Sequence, residues 1–187
     1  MSDINPLLPR QKVPDLAVPL VGGGTFDLAA ATGDPFTMVV FYRGLHCPIC
    51  KAYLTSLEKL LPEFAERGVA VVAISSDTAE RAEKAKADWP IPTLPLGHSL
   101  ALPAARSWGL YISSGRGVTS AGIEEPPLFS EPGLFLVRPD GTLYFGTTQT
   151  MPFARPHFDD ILKGIDFVVS KNYPARGEIT ALPAAAA

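Results

Sequence analysis

Two short apolar runs dominate the pattern of this chain. FTMVVFY (Phe36 to Tyr42) and VAVVAIS (Val69 to Ser75) are unbroken and of strand length, which suits central strands covered on both faces. Between them, Ile49, Tyr53, Leu57, Leu60 and Phe64 recur at spacings of four, four, three and four, the signature of an amphipathic helix. Pro62 is expected to kink its last turn and Gly68 to end it. After the second strand, Asp77 and Glu80 form a D-x-x-E start that reads as a capping box for the charged helix DTAERAEKAKADW. Strand, helix, strand, helix in this order predicts a βαβ unit with parallel pairing.

The flanks are less regular. VPDLAVPLVGGGTFDL reads as two short extended pieces around a glycine turn. A short helix is expected around Leu100 to Trp108. From Tyr111 to Gly133 periodicity disappears, and a loop of that length is usually functional, disordered or an oligomer contact. GLFLV and LYFG around Asp140-Gly141 predict an antiparallel hairpin. Phe158, Ile161, Leu162, Ile165 and Val169 then mark one face of a last helix. The reading is a single domain over residues 1–187, with loose ends at 1–11 and 181–187.

Composition narrows the function classes. Hydrophobic residues make up 47% and charged residues 19%, as in ordinary globular proteins. A formal net charge of -3 disfavours nucleic acid, whose phosphates need a dense basic surface. No export signal is visible at the start, and no stretch approaches the roughly 18 apolar residues of a membrane span. No membrane partner is expected, and the cytoplasm is the expected location.

Both cysteines of the chain lie in FYRGLHCPICKAYL, three positions apart. On a helix such residues share a face, so Cys47 and Cys50 can approach disulfide distance. Pro48 suits a first helical position, which sets Cys47 where free backbone N–H groups and the helix dipole stabilise a thiolate. Arg43, Lys51 and, if protonated, His46 add positive charge. Cysteines in such settings titrate at about 3.5 to 7.5, against about 8.5 for a free thiol. The asymmetry suggests that Cys47 attacks and Cys50 resolves. Two alternatives stand beside it: ordinary buried core cysteines, and half of a zinc site whose usual second half is missing. His98 and His157 are isolated and read as surface or capping residues.

The order strand, CPIC, helix, strand, helix, Pro-led hairpin, helix resembles the thioredoxin fold. VPDLAVPLVGGGTFDL, MVVFYRG and VVAISSDTAE resemble the peroxiredoxin-like branch, the alkyl hydroperoxide reductase/thiol-specific antioxidant type, over roughly Lys12 to Lys171. The resemblance implies an α/β fold: a central mixed sheet flanked by helices, with an N-terminal extension of short strands. It further implies a redox-active centre at Cys47 and Cys50, supported by Arg43, His46, Pro48 and Pro132, with Pro132 in the place of a cis-proline.

Three positions depart from the peroxiredoxin pattern, the first being Val40, which stands where the motif ahead of the cysteine has its proline. Gly44 stands where a threonine or serine would grip the peroxide, and Pro132 where an arginine would hold it; Arg43 is one candidate to replace that cation, and Arg116 reads as a solvated loop charge. The implied function is a peroxiredoxin-like thiol oxidoreductase that reduces peroxides through Cys47, resolved by Cys50 to a disulfide, without a bound cofactor. Its partners would be a peroxide or disulfide substrate and an external thiol reductant, either a thioredoxin-like protein or glutathione; a homodimer is a further expectation. A disulfide reductase without peroxidase activity, and a module binding copper(I) or zinc through His46, Cys47 and Cys50, are the alternatives.

Overall fold

Met38 and Val40 point to one side of strand β3 (Thr37–Phe41), and Val39 and Phe41 to the other, yet every residue of the strand is buried. This is what an unbroken apolar run requires, and it places β3 at the centre of the sheet. The computed structural model describes residues 4–181. In chain order its elements begin with strands β1 (Ala17–Pro19) and β2 (Thr25–Asp27), which form the expected antiparallel pair. After β3 come helix α1 (Pro48–Glu66), strand β4 (Ala70–Ile74), helix α2 (Ala79–Asp88), strand β5 (Leu96–Gly97) and helix α3 (Leu102–Ser107). Strands β6 (Ile112–Ser114), β7 (Leu128–Ser130), β8 (Gly133–Val137) and β9 (Leu143–Thr148) precede helix α4 (Phe158–Lys171).

The main sheet has the order β5-β4-β3-β8-β9. β4 runs parallel to β3 and to β5, whereas β8 is antiparallel to β3 and to β9. On one face, Met38, Val40 and Leu134 pack with Leu54 and Phe64 of α1, Ala82 of α2, and Phe158 and Leu162 of α4. On the other, Val39, Phe41 and Phe135 pack with Leu16, Val18 and Trp108. The mixed α/β architecture therefore agrees with the expected one.

Several local expectations are corrected. The stretch from Tyr111 to Gly133 is no plain loop: β6 and β7 pair antiparallel, with a further bridge between Val118 and Glu124. Short strands of three residues carry too little periodicity to be seen in the chain. α2 is capped by Thr78, whose hydroxyl accepts the Arg81 N–H at 3.5 Å, because the Asp77 carboxylate is engaged elsewhere. The only cis peptide bond among the described residues precedes Pro35, so the bond before Pro132 is trans. Val169 is exposed, since the packed strip of α4 ends with Ile165 and Val168. His98 is buried at the end of β5 with Nδ1 2.9 Å from Ser99 Oγ, whereas His157 is exposed at the start of α4. Within the expected loose end, Arg10 donates its N–H to Leu143 and Gln11 accepts the N–H of Leu143. Most of the expected loose C-terminal end lies outside the described residues.

Candidate functional site

The end of β3 delivers the chain to the cysteines through a tight turn. Gly44 adopts φ +132°, and its carbonyl accepts the Cys47 N–H at 3.1 Å. Cys47 is the N-cap of α1 with extended backbone, and its sulfur accepts the Cys50 N–H at 3.3 Å. Pro48 follows at the first helical position, where a missing N–H leaves nothing unpaired. Both thiols are free and buried, Cys47 at 1% and Cys50 at 0% exposure.

The two sulfurs differ in their tendency to ionise. Hydrogen bonding from the Cys50 thiol brings Cys47 down to about 6, aided by the Cys50 N–H and by the charges of Arg155 and Arg43, against the opposing effect of burial. Cys50 moves the other way: burial, and its role as donor toward Cys47, hold its proton well above the ordinary range. One thiol of the pair is thus set to be a thiolate near neutrality and its neighbour to remain protonated.

Arg155 is the residue that the spacing of motifs misses. Its Nη2 donates to Cys50 Sγ at 3.1 Å, and its guanidinium lies 4.9 Å from the centre of the Tyr53 ring. Tyr53 secures the segment ahead of α4 by donating its hydroxyl to the Pro156 carbonyl at 2.8 Å. Arg155 and Cys50 are 105 positions apart, so only the fold brings them together; the one local signal is a cation just before a helix.

Arg43 meets two carboxylates, Glu125 at 3.2 Å and Glu131 at 3.4 Å, and stacks 4.6 Å from the centre of the Phe129 ring. His46 is fully buried against the same Phe129 ring, with centroids 4.6 Å apart. Its Nδ1 lies 3.5 Å from Arg81 and its Nε2 4.0 Å from Glu125. Burial, opposed by the Asp77 charge, lowers His46 to about 4, so at neutral pH it is uncharged and does not add to the positive field. Lys51 is exposed, as is Arg116, whose N–H donates to Glu125 at 2.8 Å. Pro132 is buried at the start of β8, one residue beyond the Phe41–Gly133 pairing.

Arg43, Ser113, Glu125 and Glu131 also line an open cleft of about 770 Å³, with Val118, Met151 and Phe153 among its exposed apolar residues. A second cleft of about 620 Å³, around Lys12, Asp15 and Asp140, lies at the other end of the sheet from the cysteines. Among the described residues no group of three or more His, Cys, Asp or Glu side chains converges as a metal site, and no helix is long and apolar enough to cross a membrane.

A sequence model of the AhpC/TSA family matches residues 9–145. No curated protein matches the chain. Solved structures share the fold. The peroxidoxin BcpB from Mycobacterium tuberculosis is 21% identical with a TM-score of 0.67, over 87% of this chain and 98% of its own. The AhpC of Mycobacterium tuberculosis is 14% identical with a TM-score of 0.70, over 91% of this chain and 98% of its own. A reduced 2-Cys peroxiredoxin from Plasmodium vivax is 17% identical with a TM-score of 0.70, over 89% and 84%.

Proposed function

The chain belongs to the AhpC/TSA family, and from that premise we propose that it is a thiol-dependent peroxidase in which Cys47 attacks and Cys50 resolves. The observation that carries the assignment is the split between the two thiols. Cys47 caps α1 with its ionisation brought down to about 6, while Cys50 keeps its proton one turn away.

In the first step the Cys47 thiolate attacks one peroxide oxygen. The O–O bond breaks, the departing oxygen takes a proton from solvent and leaves as alcohol or water, and Cys47 becomes a sulfenic acid. In the second step Cys50 gives up its proton and attacks the Cys47 sulfur. The S–O bond breaks, water departs and a Cys47–Cys50 disulfide remains. Two electrons from an external dithiol, or from two small thiols such as glutathione, restore the reduced pair. Arg155 and Arg43 are the cations that favour negative charge at the sulfurs and at the departing oxygen. Arg43 both lines the open cleft and lies near enough for its charge to favour the Cys47 thiolate, which makes that cleft the peroxide's approach in this reading.

Gly44 and Pro132 favour a second reading, in which the electrophile is a disulfide and Cys47 forms a mixed disulfide. Stopped-flow mixing of reduced protein with hydrogen peroxide, beside an insulin-reduction assay, separates the two. Thiol loss far faster than for free cysteine, abolished in Cys47→Ser and stopping at the sulfenic acid in Cys50→Ser, is the expected result. A background rate with peroxide combined with active insulin reduction would overturn the peroxidase reading.

A further inference from the structure

Asp77 is a buried carboxylate for which the reaction above has no use. Its side chain is 0% exposed, and burying a carboxylate costs several kcal/mol even after relaxation. It does not cap α2, the place that its position in the chain suggests. Instead Oδ2 accepts the Leu45 N–H at 2.6 Å and Oδ1 accepts Arg81 Nε at 2.9 Å. Its own N–H donates to Ser75 Oγ at 3.3 Å, and its carbonyl accepts the Ser99 N–H at 2.8 Å, so the carboxylate stands on a fixed base at the end of β4.

The carboxylate also explains Gly44. A Cβ at that position would lie 2.5 Å from Asp77 Oδ2 and 2.7 Å from Oδ1, and φ of +132° already disfavours any side chain. Gly44 and Leu45 are therefore shaped around the anion, and the same turn continues to Cys47 through the Gly44 carbonyl. Arg81, which neutralises Asp77, reaches on to the Glu124 carbonyl at 3.2 Å and toward His46 Nδ1.

We propose that Asp77 is a positioning residue for Cys47: by holding the Leu45 amide it fixes the turn Gly44 to Cys47, so that the Cys47 sulfur stays on the helix cap. This rests on the reading of Cys47 as the attacking thiol. The carboxylate touches no reacting atom; it acts through the backbone. The groups that set the charge state of Cys47 directly are Cys50, Arg155 and Arg43, with His46 uncharged beside them.

Geometry and charge predict opposite signs, which makes the proposal testable. Removing a nearby anion can only favour a thiolate. Losing the tether instead lets the sulfur leave the Cys50 N–H and raises the thiol. Thiolate ultraviolet absorbance, titrated in the absence of peroxide, reads Cys47 in wild type, Asp77→Asn and Asp77→Ala, each carrying Cys50→Ser so that one thiol reports. Asn keeps an acceptor for the Leu45 N–H but loses the charge, so it is expected to titrate at or slightly below the parent. Ala is expected to rise by about one unit. An Ala variant that is folded by circular dichroism and titrates at or below the parent overturns the proposal, as does an Asn variant that rises as far as Ala. If Ala does not fold, Asp77→Ser, too short to reach Leu45, takes its place with the same two outcomes. Because no peroxide is used, failure of the peroxidase reading would appear in the stopped-flow assay and not here.

Discussion

Arg155 and Cys50 meet at 3.1 Å across 105 positions of chain, and the guanidinium is held there by the face of Tyr53. A cation so placed favours negative charge on either sulfur. Arg155→Met keeps a flexible apolar contact with Tyr53 but removes the charge. The Cys47 titration is expected to rise by about half a unit or more, and the peroxide rate to fall about tenfold, the range of a lost charge-assisted contact. Stopped-flow rates measured across pH check both, and a rate within about twofold of wild type counts against a role for this arginine.

His46 predicts how stability depends on acid. Its folded value of about 4 lies below the ordinary 6.5, so as pH falls the unfolded chain takes up the proton first. Stability is complete above about 6.5 and declines as pH drops from there toward 4. The loss attributable to this group by pH 5 is about 2 kcal/mol. Urea unfolding at a series of pH values should show this slope, and His46→Asn should flatten it even though the variant begins less stable.

Gly44→Thr restores the residue that the peroxiredoxin pattern would place there, and it is expected to fail. The new side chain meets the Asp77 carboxylate at 2.5 Å in a backbone conformation at φ +132°. A cost of about 2 to 4 kcal/mol follows from the strain and the clash. Thermal unfolding should show the loss, and the peroxide rate should not increase.

Glu125 ties the excursion between β6 and β7 to the end of β3. It accepts from Arg43 and from the Arg116 N–H. Glu125→Gln leaves Arg43, 16% exposed, with Glu131 alone. Breaking one arm of a largely buried pair is expected to cost about 1 to 3 kcal/mol. Hydrogen exchange of amides in 112–130 should quicken more than exchange in β3 or β8.

What could be read from the chain follows the range of the forces involved. The strands β3 and β4, the helix α1 and the cap position of Cys47 are written in local periodicity and in the proline after the cysteine, so they were legible. Arg155, Glu125, Glu131 and Phe129 gather around the cysteine loop only when the sheet is assembled, and apart from the place of Arg155 just ahead of α4 nothing in their own neighbourhoods marks them. Asp77 misled for a different reason. A carboxylate next to a helix start looks like a cap, and only the buried Leu45 amide, 32 positions earlier, outcompetes that role. His46 looked like a possible cation because it adjoins Cys47 in the chain, whereas the ring is fully buried against Phe129.

The cap on α1 has one more consequence. A charged sulfur at a helix start is a strong acceptor for the Cys50 N–H, and a sulfur in a disulfide is a weak one. In the proposed cycle each oxidation would therefore discharge the helix start and each reduction recharge it. The oxidised enzyme should begin α1 with a loosened first turn, and that slackening offers an incoming reductant a way to a bond that the reduced fold keeps under cover. On that reading the helix start is a gauge of the electrons the molecule holds.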